Sequence, residues 1–339
     1  MNNDKTLKIG VIGIYFGKLP NWFPIWLRSA EYNPTIDFLL FIDDHVENLP
    51  NNVHIFNSSL KEIKQLAEDK LNMKVWLDSP YKLCDFKPVW GIILQEYIKE
   101  YDYWGHCDFD LLFGDIRKFV NQFKLSDYDK FLSLGHFALY KNERKCYEYY
   151  KLPGSAVSYK DAFTKPDACY FDEFCNINSI YKNNDIPIFC DESIFVNISP
   201  YRERLQRLDF PNYRNQVFYW ENGKVFCSYL NDEEEIITCE FIYIHICKRN
   251  LEMNIINPSD VISLYITPHT FENKTINKPP TKEDMEHLNP YNVMVERKEN
   301  LKSFIINSVN DFRNSTKEKL KKSKIGFVIY KIIRVIIHH

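Results

Sequence analysis

The first long apolar run of the chain constrains its fold more than any other feature of the sequence. Leu7–Phe16 (LKIGVIGIYF) is almost continuously apolar and rich in β-branched residues. This is the pattern of a strand that is buried on both faces. Such a strand needs other secondary structure packed on each side, so the run predicts a parallel sheet in an α/β fold.

Strand and helix patterns alternate to about residue 140. The predicted strands are Leu7–Phe16, Ile36–Ile42, Val53–Phe56, Tyr103–Cys107 and Lys130–Leu139, and the predicted helices are Pro20–Ala30, Ser59–Leu71 and Lys87–Tyr101. This order predicts a mixed, mainly parallel sheet that is flanked by helices on both faces.

The remaining sequence changes character in steps. Residues 141–185 are irregular, Ile186–Phe189 is a short strand, and residues 216–248 carry hairpin patterns around an Asn222-Gly223 turn. Residues 251–316 are polar with scattered helical signals. We therefore expect a main domain over residues 1–250, an accessory helical region over 251–316 and a separate terminal segment over 317–339.

Charge and cysteine content disfavour several classes of protein. The net charge is −3 although the last 23 residues are basic, so the body of the chain is acidic, which argues against nucleic-acid binding. The nine cysteines include no Cys-x-x-Cys pair, which disfavours a zinc cage and is consistent with reduced cytosolic thiols. The N-terminus lacks the apolar region of a signal peptide. A cytoplasmic protein is expected.

The terminal segment combines positive charge with apolar residues. Residues 317–339 hold seven Lys or Arg residues and one acid, Glu318. Ile325–Ile337 is apolar except for Lys331 and Arg334, and it is shorter than the roughly 20 residues that a membrane crossing needs. The pattern predicts a helix lying on an anionic membrane surface, at the inner face of the cell membrane. The alternative is an amphipathic helix packed on its own domain.

An Asp-x-Asp motif follows one of the predicted strands. Asp108 and Asp110 come directly after Tyr103–Cys107, where ligands of α/β sheets bind. Two carboxylates at this spacing can hold a hard divalent cation, and the cation can neutralise a diphosphate leaving group. A second match, Asp127 and Asp129, lies in a polar turn. Neither a GxGxxG fingerprint nor a P-loop is present, which disfavours Rossmann dehydrogenases and P-loop kinases.

Two segments around these strands resemble a known family. Residues 80–119 (PYKLCDFKPVWGIILQEYIKEYDYWGHCDFDLLFGDIRKF) and 12–44 (IGIYFGKLPNWFPIWLRSAEYNPTIDFLLFIDD) are similar to a bacterial family from polysaccharide-biosynthesis loci, described as GT-A type glycosyltransferases. The resemblance covers about residues 7–250. It implies a GT-A fold, a nucleotide-sugar donor and a divalent metal, Mn²⁺ or Mg²⁺, at Asp108 and Asp110.

The same resemblance implies roles for further residues. His245 would complete the metal site and Lys248 would contact the donor diphosphate, although a lone strand histidine often only faces the core. Further donor contacts are expected from two groups of residues: Tyr15, Phe16, Gly17, Asp43 and Asp44 for the base and ribose, and Lys82, Asp85 and Lys87 in a loop over the donor. The charges of that loop are equally compatible with simple solvation.

An acidic pair supplies candidates for proton transfer. Asp191 and Glu192 follow a short apolar strand and precede a helix start, where inverting enzymes of the GT-A group present a base to the acceptor. Capping of that helix by Asp191 fits the same position. His136 is a further candidate to face the acceptor.

These patterns together predict a metal-dependent glycosyltransferase. It would move a hexose from a nucleotide sugar, a UDP-sugar, to a lipid-linked oligosaccharide during capsule or lipopolysaccharide synthesis. Two alternatives remain open at this point: a sugar- or polyol-phosphate transferase of the same pathway, and a GT-A-like scaffold protein without turnover.

Overall fold

The computed structural model describes residues 6–302 except Asp209 and Ile256. The basic segment 317–339, for which we predict a membrane-surface helix, lies outside the described residues. Among the residues that are described, no helix has both the length and the apolar character needed to cross a membrane.

The described residues form two compact units. The first runs to Pro200 and continues over Arg204–Pro290, and the second consists of Tyr201–Glu203 and the stretch from Tyr291 onward. In the second unit, residues 293–302 are helical and the Glu299 carboxylate accepts a hydrogen bond from the Glu203 N–H at 2.7 Å. All elements named below belong to the first unit.

Strands and short helices alternate through the first unit. The strands are β1 Ile9–Tyr15, β2 Ile36–Ile42, β3 Val53–Asn57, β4 Tyr103–Cys107, β5 Leu111–Phe113, β6 Lys130–Phe131, β7 Phe137–Lys141, β8 Ile188–Phe189, β9 Val196–Asn197, β10 Gln216–Glu221, β11 Lys224–Leu230, β12 Ile236–Phe241, β13 Tyr243–His245, β14 Glu252–Met253, β15 Ser263–Ile266 and β16 Thr270–Asn273. The α-helices are α1 Phe23–Glu31, α2 Leu60–Leu71, α3 Leu83–Phe86, α4 Trp90–Ile93, α5 Gln95–Ile98, α6 Ile116–Gln122, α7 Tyr159–Thr164, α8 Ser179–Asn183 and α9 Lys282–Leu288.

Seven strands form the main sheet, in the order β3-β2-β1-β4-β7-β6-β8. Neighbours pair in parallel except at β7, which is antiparallel to both β4 and β6. The predicted mixed, mainly parallel sheet is confirmed. Because the carboxyl ends of β1, β2 and β4 meet at one edge and β7 begins there, the loops at this edge come together.

Alternate residues of the strands belong to two different cores, as the two-residue period of a strand requires. Ile9 and Val11 of β1 pack in the core that contains residues of α1 and α6. Ile12 and Ile14 pack in the core that contains residues of α2 to α5. The helices therefore cover both faces of the sheet, as the apolar run Leu7–Phe16 predicts.

The segment predicted as one helix over Lys87–Tyr101 is broken into short pieces. A 3₁₀ turn, Lys87–Val89, leads into α4 and then α5, and the break between the two α-helices is at Leu94 (φ −109°, ψ 28°). Leu94 is almost fully buried. Tertiary packing of this apolar residue outweighs the modest helical preference of the local sequence.

The region after residue 250 contains more strand than the sequence predicts. β14, β15 and β16 join β10, β11 and β12 in a six-stranded sheet, and α9 is the one α-helix among the described residues of 251–290. The expected boundary near residue 250 does not coincide with a boundary between the compact units, which falls after Pro290. Strand pairing with β10, a long-range contact, is invisible in local sequence patterns.

A small third sheet connects the main sheet to the rest of the unit. It has the order β5-β13-β9, with His245 opposite Leu111 in the β5–β13 pair and opposite Asn197 in the β9–β13 pair. Since β5 begins right after Asp110, this sheet determines what surrounds the Asp-x-Asp motif.

Candidate functional site

A cavity of about 610 Å³ opens at the edge of the main sheet where β1 and β4 end. Tyr15 and Phe16 line it from the end of β1, Asp108 and Asp110 line it from the segment after β4, and His136 lines it from just before β7. Its position is the one at which open α/β sheets bind ligands.

Asp108, Asp110 and His245 come together in this cavity. Each offers one ligand atom, and these atoms all lie within 4.8 Å of one another. Both aspartates belong to the link between β4 and β5, and the register of β5 with β13 places His245 opposite Leu111. The structure thus joins residues that are 135 positions apart in the sequence, as the predicted metal site requires.

The imidazole of His245 is held in a defined orientation. Its Nδ1 lies 2.8 Å from the Asn197 side-chain oxygen, and its Nε2 lies 3.2 Å from Asp110 Oδ2. In the tautomer that can bind a cation, Nδ1–H donates to Asn197 and the Nε2 lone pair faces the carboxylate; without a cation, a proton on Nε2 can be donated to Asp110. A cation between these two electron-rich groups would stabilise that arrangement, and Asn197 would be the outer partner that orients the imidazole.

The pKa values of the two aspartates shift in opposite directions. Burial alone would raise the pKa of Asp110, but the nearby His245, Lys87 and the Lys248 N–H outweigh it and lower that pKa. For Asp108, burial outweighs the ion pair with Lys87 and raises the pKa. A bound divalent cation favours the ionised form of both groups.

Lys87 links three parts of the cavity wall. Its Nζ lies 2.6 Å from Asp108 Oδ1 and 3.5 Å from Asp172 Oδ2, and it donates a hydrogen bond to the Gly135 carbonyl oxygen at 2.8 Å. Burial alone would lower the pKa of Lys87, but the two carboxylates outweigh it and raise that pKa. The ammonium group is therefore charged and fixes the position of Asp108.

The donor set and the charge of the cavity both fit a hard divalent cation. Carboxylate oxygens suit Mg²⁺ and Mn²⁺, and an imidazole is compatible with Mn²⁺. The cavity is lined by four carboxylates and two ammonium groups: Asp108, Asp110, Asp172, Glu173, Lys87 and Lys248. This excess of negative side chains favours cation binding.

The residues predicted to contact the base and ribose lie at the ends of β1 and β2. Tyr15 and Phe16 line the cavity. Gly17 has a left-handed backbone (φ +106°), and its N–H donates to Asp43 Oδ1 at 2.7 Å, which joins the ends of the two strands. Asp43 is exposed and does not line the cavity, and Asp44 lines a separate pocket.

Lys82 and Asp85 do not line the cavity, in contrast to the expectation of a loop over the donor. Both side chains are buried, and Lys82 Nζ lies 2.7 Å from Asp85 Oδ2. Asp85 also accepts hydrogen bonds from the N–H groups of Cys169 and Phe171. A buried charge needs such partners, so these two residues stabilise the structure behind the cavity wall and are not available to a ligand. Lys87 is the one member of the predicted group that reaches the cavity.

Asp191 and Glu192 also lie outside the cavity lining. Asp191 is the N-cap of the 3₁₀ turn Glu192–Ile194, and its Oδ1 accepts from the Ser193 N–H at 2.9 Å. Glu192 Oε1 accepts from the Ser133 hydroxyl at 2.8 Å. The capping role that the sequence left open is the one the geometry favours for Asp191.

Comparison with known proteins gives a family. Residues 11–275 match the model of a family described as "Family of unknown function (DUF6625)". The chain belongs to DUF6625. No curated protein matches it.

Solved structures similar to this DUF6625 chain include two of one enzyme. The crystal structure of the galactosyltransferase LgtC with donor and acceptor sugar analogs is 13% identical, with 56% of this chain and 76% of that chain covered and a TM-score of 0.32. An active-site mutant of LgtC is 12% identical, with coverages of 56% and 75% and the same TM-score. At this TM-score the similarity carries no inference about activity.

The acidic pair that does line the cavity is Asp172-Glu173. Asp172 is buried, and a side chain at Gly135 would collide with its carboxylate. The Glu173 carboxylate accepts from the Gly135 N–H at 3.3 Å. The same Asp-Glu dipeptide occurs at Asp191, and we predicted the proton-transfer pair there because a strand pattern precedes it and a helix pattern follows it. The one sequence feature that could have indicated Asp172-Glu173 is the pair of apolar residues on either side of it, Phe171 and Phe174.

We expect Asp110→Asn to abolish Mn²⁺ binding, because the amide loses the negative charge that balances the cation and offers one ligand oxygen fewer. Isothermal titration with MnCl₂ measures this directly. Asp127→Asn, in the other Asp-x-Asp motif, is the matched control and should bind Mn²⁺ like the unmodified chain. Equal loss in both variants would contradict the assignment of the site.

We expect Asp172→Asn to raise the melting temperature at neutral pH in the presence of EDTA. Burial raises the pKa of Asp172 to about 7, although the positive charge of Lys87 partly opposes this shift. The folded state therefore holds this proton more tightly than the unfolded state does, and stability is lost as pH rises from about 4 to about 7.

Asparagine cannot ionise, so the advantage of the variant should grow through this window and level off above it. The exposed Asp69→Asn is the control and should show no such trend. A variant that melts below the unmodified chain at pH 8 would show instead that the ion pair with Lys87 dominates.

Proposed function

We propose that this chain is a metal-dependent glycosyltransferase that uses a nucleotide sugar as donor. The observation that carries the proposal is the group Asp108, Asp110 and His245, which lies in one cavity with Lys248 at the carboxyl edge of a mainly parallel sheet. Two carboxylates and an imidazole next to an ammonium group make a site for a cation that carries a polyphosphate.

When bound, the cation neutralises the diphosphate that leaves the donor sugar. Lys248 supplies a second positive charge from the same side of the cavity, and its backbone N–H holds the Asp110 carboxylate. Lys87 keeps Asp108 in place from behind. Tyr15 and Phe16 offer aromatic surface for the base. Asp43, whose carboxylate accepts from the Gly17 N–H, is our candidate for the ribose hydroxyls.

Asp172 and Glu173 lie next to Gly135, in the loop before β7. Their carboxylates accept hydrogen bonds and are within the same cavity, so they are placed to bind hydroxyl groups of the sugars. The reaction breaks the bond between the anomeric carbon and the phosphate oxygen and forms a bond from that carbon to an acceptor oxygen, whose proton is released.

The finer parts of the proposal concern donor, acceptor and location. We assign a UDP-hexose as donor, Mn²⁺ as metal and a lipid-linked oligosaccharide of capsule or lipopolysaccharide synthesis as acceptor, on the resemblance of residues 12–44 and 80–119 to that family. The basic apolar segment 317–339 supports peripheral attachment to the inner face of the cell membrane.

The activity is tested by incubating the chain with UDP-hexoses and MnCl₂ and following nucleotide release. We expect slow hydrolysis that yields UDP, stops with EDTA and is weakened by Lys248→Gln, because that change removes a charge next to the phosphates. Lys224→Gln, on a hairpin strand that does not line the cavity, should leave the rate unchanged.

The product distinguishes the alternatives. Transfer of a sugar phosphate instead of a sugar releases UMP, so UMP as product would favour a phosphotransferase. Binding of UDP and Mn²⁺ without any turnover across the donors would favour a scaffold protein.

The membrane proposal is tested by truncation after Thr316. Each cation near an anionic leaflet contributes about 1 kcal/mol and the isoleucines add an apolar contribution that salt does not screen. The full chain should float with anionic vesicles, weakly at high salt, and the truncated chain should stay in solution. Equal flotation of both would contradict membrane binding by this segment.

A further inference from the structure

Two tyrosines at the rim of the cavity are exposed although they carry large aromatic rings. Tyr81 is 56% exposed and Tyr170 is 53% exposed, and both line the same cavity as the candidate metal ligands. The Tyr81 hydroxyl lies 3.4 Å from the Tyr170 hydroxyl. The two side chains therefore meet at their hydroxyl ends, and each offers an exposed ring at the rim of the cavity.

A buried ion pair holds the segments that carry these rings. Lys82, next to Tyr81, and Asp85 are 1% and 0% exposed, and their charged groups are 2.7 Å apart. Lys82 Nζ donates to the Asp167 carbonyl oxygen at 2.6 Å. Burying two charges is costly, and the complete set of partners repays that cost only in a fixed geometry.

The same ion pair holds the backbone on both sides of Tyr170. Asp85 accepts from the N–H groups of Cys169 at 2.9 Å and Phe171 at 2.8 Å. The Asn176 amide, which is also buried, donates to the Tyr170 carbonyl oxygen at 3.0 Å. The two aromatic rings are thus presented by segments that are tied to each other beneath the surface.

The backbone of Tyr170 is in a conformation that a bulky side chain seldom adopts. Its φ angle is +53°, in the left-handed region. Strain of this kind persists only where the surroundings enforce it, and it is concentrated at functional sites. The hydrogen bonds that Asp85 accepts on both sides of Tyr170, and the one that Asn176 donates, provide that enforcement.

The segment that carries Tyr170 lies next to the loop before β7. Glu173, three residues after Tyr170, binds the Gly135 N–H in the loop before β7. The edge order of the main sheet places β7 beyond β4, opposite to the ends of β1 and β2. The carboxylates of Asp172 and Glu173 repel phosphate groups, so this side suits an uncharged part of a ligand.

We infer that Tyr81, Tyr170 and Glu173 form the subsite for a sugar ring of the acceptor. The apolar C–H face of a pyranose packs on an aromatic ring, and its hydroxyl groups donate hydrogen bonds to a carboxylate. The rim position suits an acceptor, which extends from the cavity into solvent as part of a larger molecule. The assignment to the acceptor rests on the proposed function.

Saturation-transfer NMR titrations in MgCl₂ and UDP test the subsite. The probes are methyl glycosides of glucose, galactose, mannose and N-acetylglucosamine, together with maltose and cellobiose. Tyr81→Ala removes one ring, and Tyr170→Asn removes the other while keeping a residue that tolerates positive φ. Tyr201→Ala, at an exposed tyrosine that does not line the cavity, is the control.

We expect the dissociation constant of the bound sugar to rise roughly five- to tenfold in each cavity variant, the usual worth of an aromatic contact, and to stay unchanged in the control. The affinity for UDP with Mg²⁺ should be unchanged in all variants. Melting curves check folding, and if Tyr170→Asn does not fold, Tyr81→Ala decides alone.

Failure of the subsite and failure of the proposed function give different results. The subsite is overturned if the unmodified chain binds no sugar of the panel. It is also overturned if the variants bind UDP more weakly but bind the sugar unchanged. In both cases the glycosyltransferase proposal stands. Tyrosine-dependent sugar binding without any UDP binding overturns the proposed function and leaves a carbohydrate subsite.

Discussion

The antiparallel register between β5 and β13 is the constraint on which the rest of the site depends. It places His245 opposite Leu111, and therefore next to Asp110, in a sheet of only three short strands. Because side chains alternate between the faces of a strand, a shift of one residue would turn His245 away from the aspartates. The parallel pairing of β13 with β9 brings in Asn197, which fixes the imidazole. The larger sheets supply most of the core, and this small sheet positions His245 relative to Asp110 and Asn197.

Charge balance explains how so many ionisable groups are accommodated below the protein surface. Lys87 forms ion pairs with Asp108 and Asp172, and Lys82 forms one with Asp85. Removing Lys82 or Asp85 is costly, since the other charge then stays buried alone, whereas Lys87 keeps Asp108 when Asp172 loses its charge. The carboxylates of the cavity nevertheless outnumber its ammonium groups. Because Lys87 is shared between Asp108 and Asp172, negative charge remains unbalanced next to Asp110, where a cation would complete the balance. The electrostatics and the geometry therefore favour the same position.

The sequence predicted the parts of the molecule that depend on local patterns. Leu7–Phe16 and Ile36–Ile42 gave strands because a doubly buried strand is apolar at every position, and Asp108 and Asp110 stood out because they follow such a strand. Lys82 and Asp85 were expected in an exposed loop over the donor, because a buried ion pair has the same local sequence as two exposed charges. Asp172-Glu173 was missed because it lies in an irregular stretch, where only tertiary contacts to Gly135 and Lys87 bring it to the cavity.

The most direct test of the central claim is to locate a manganese ion by anomalous diffraction. A crystal of the chain grown with MnCl₂ and UDP, measured at the manganese absorption edge, gives the position of the metal without assumptions about activity. The account predicts one strong peak between the carboxylates of Asp108 and Asp110 and Nε2 of His245, with the UDP phosphates on its open side. A peak at Asp127 and Asp129, or ordered UDP in the cavity without any metal peak beside it, would contradict the account.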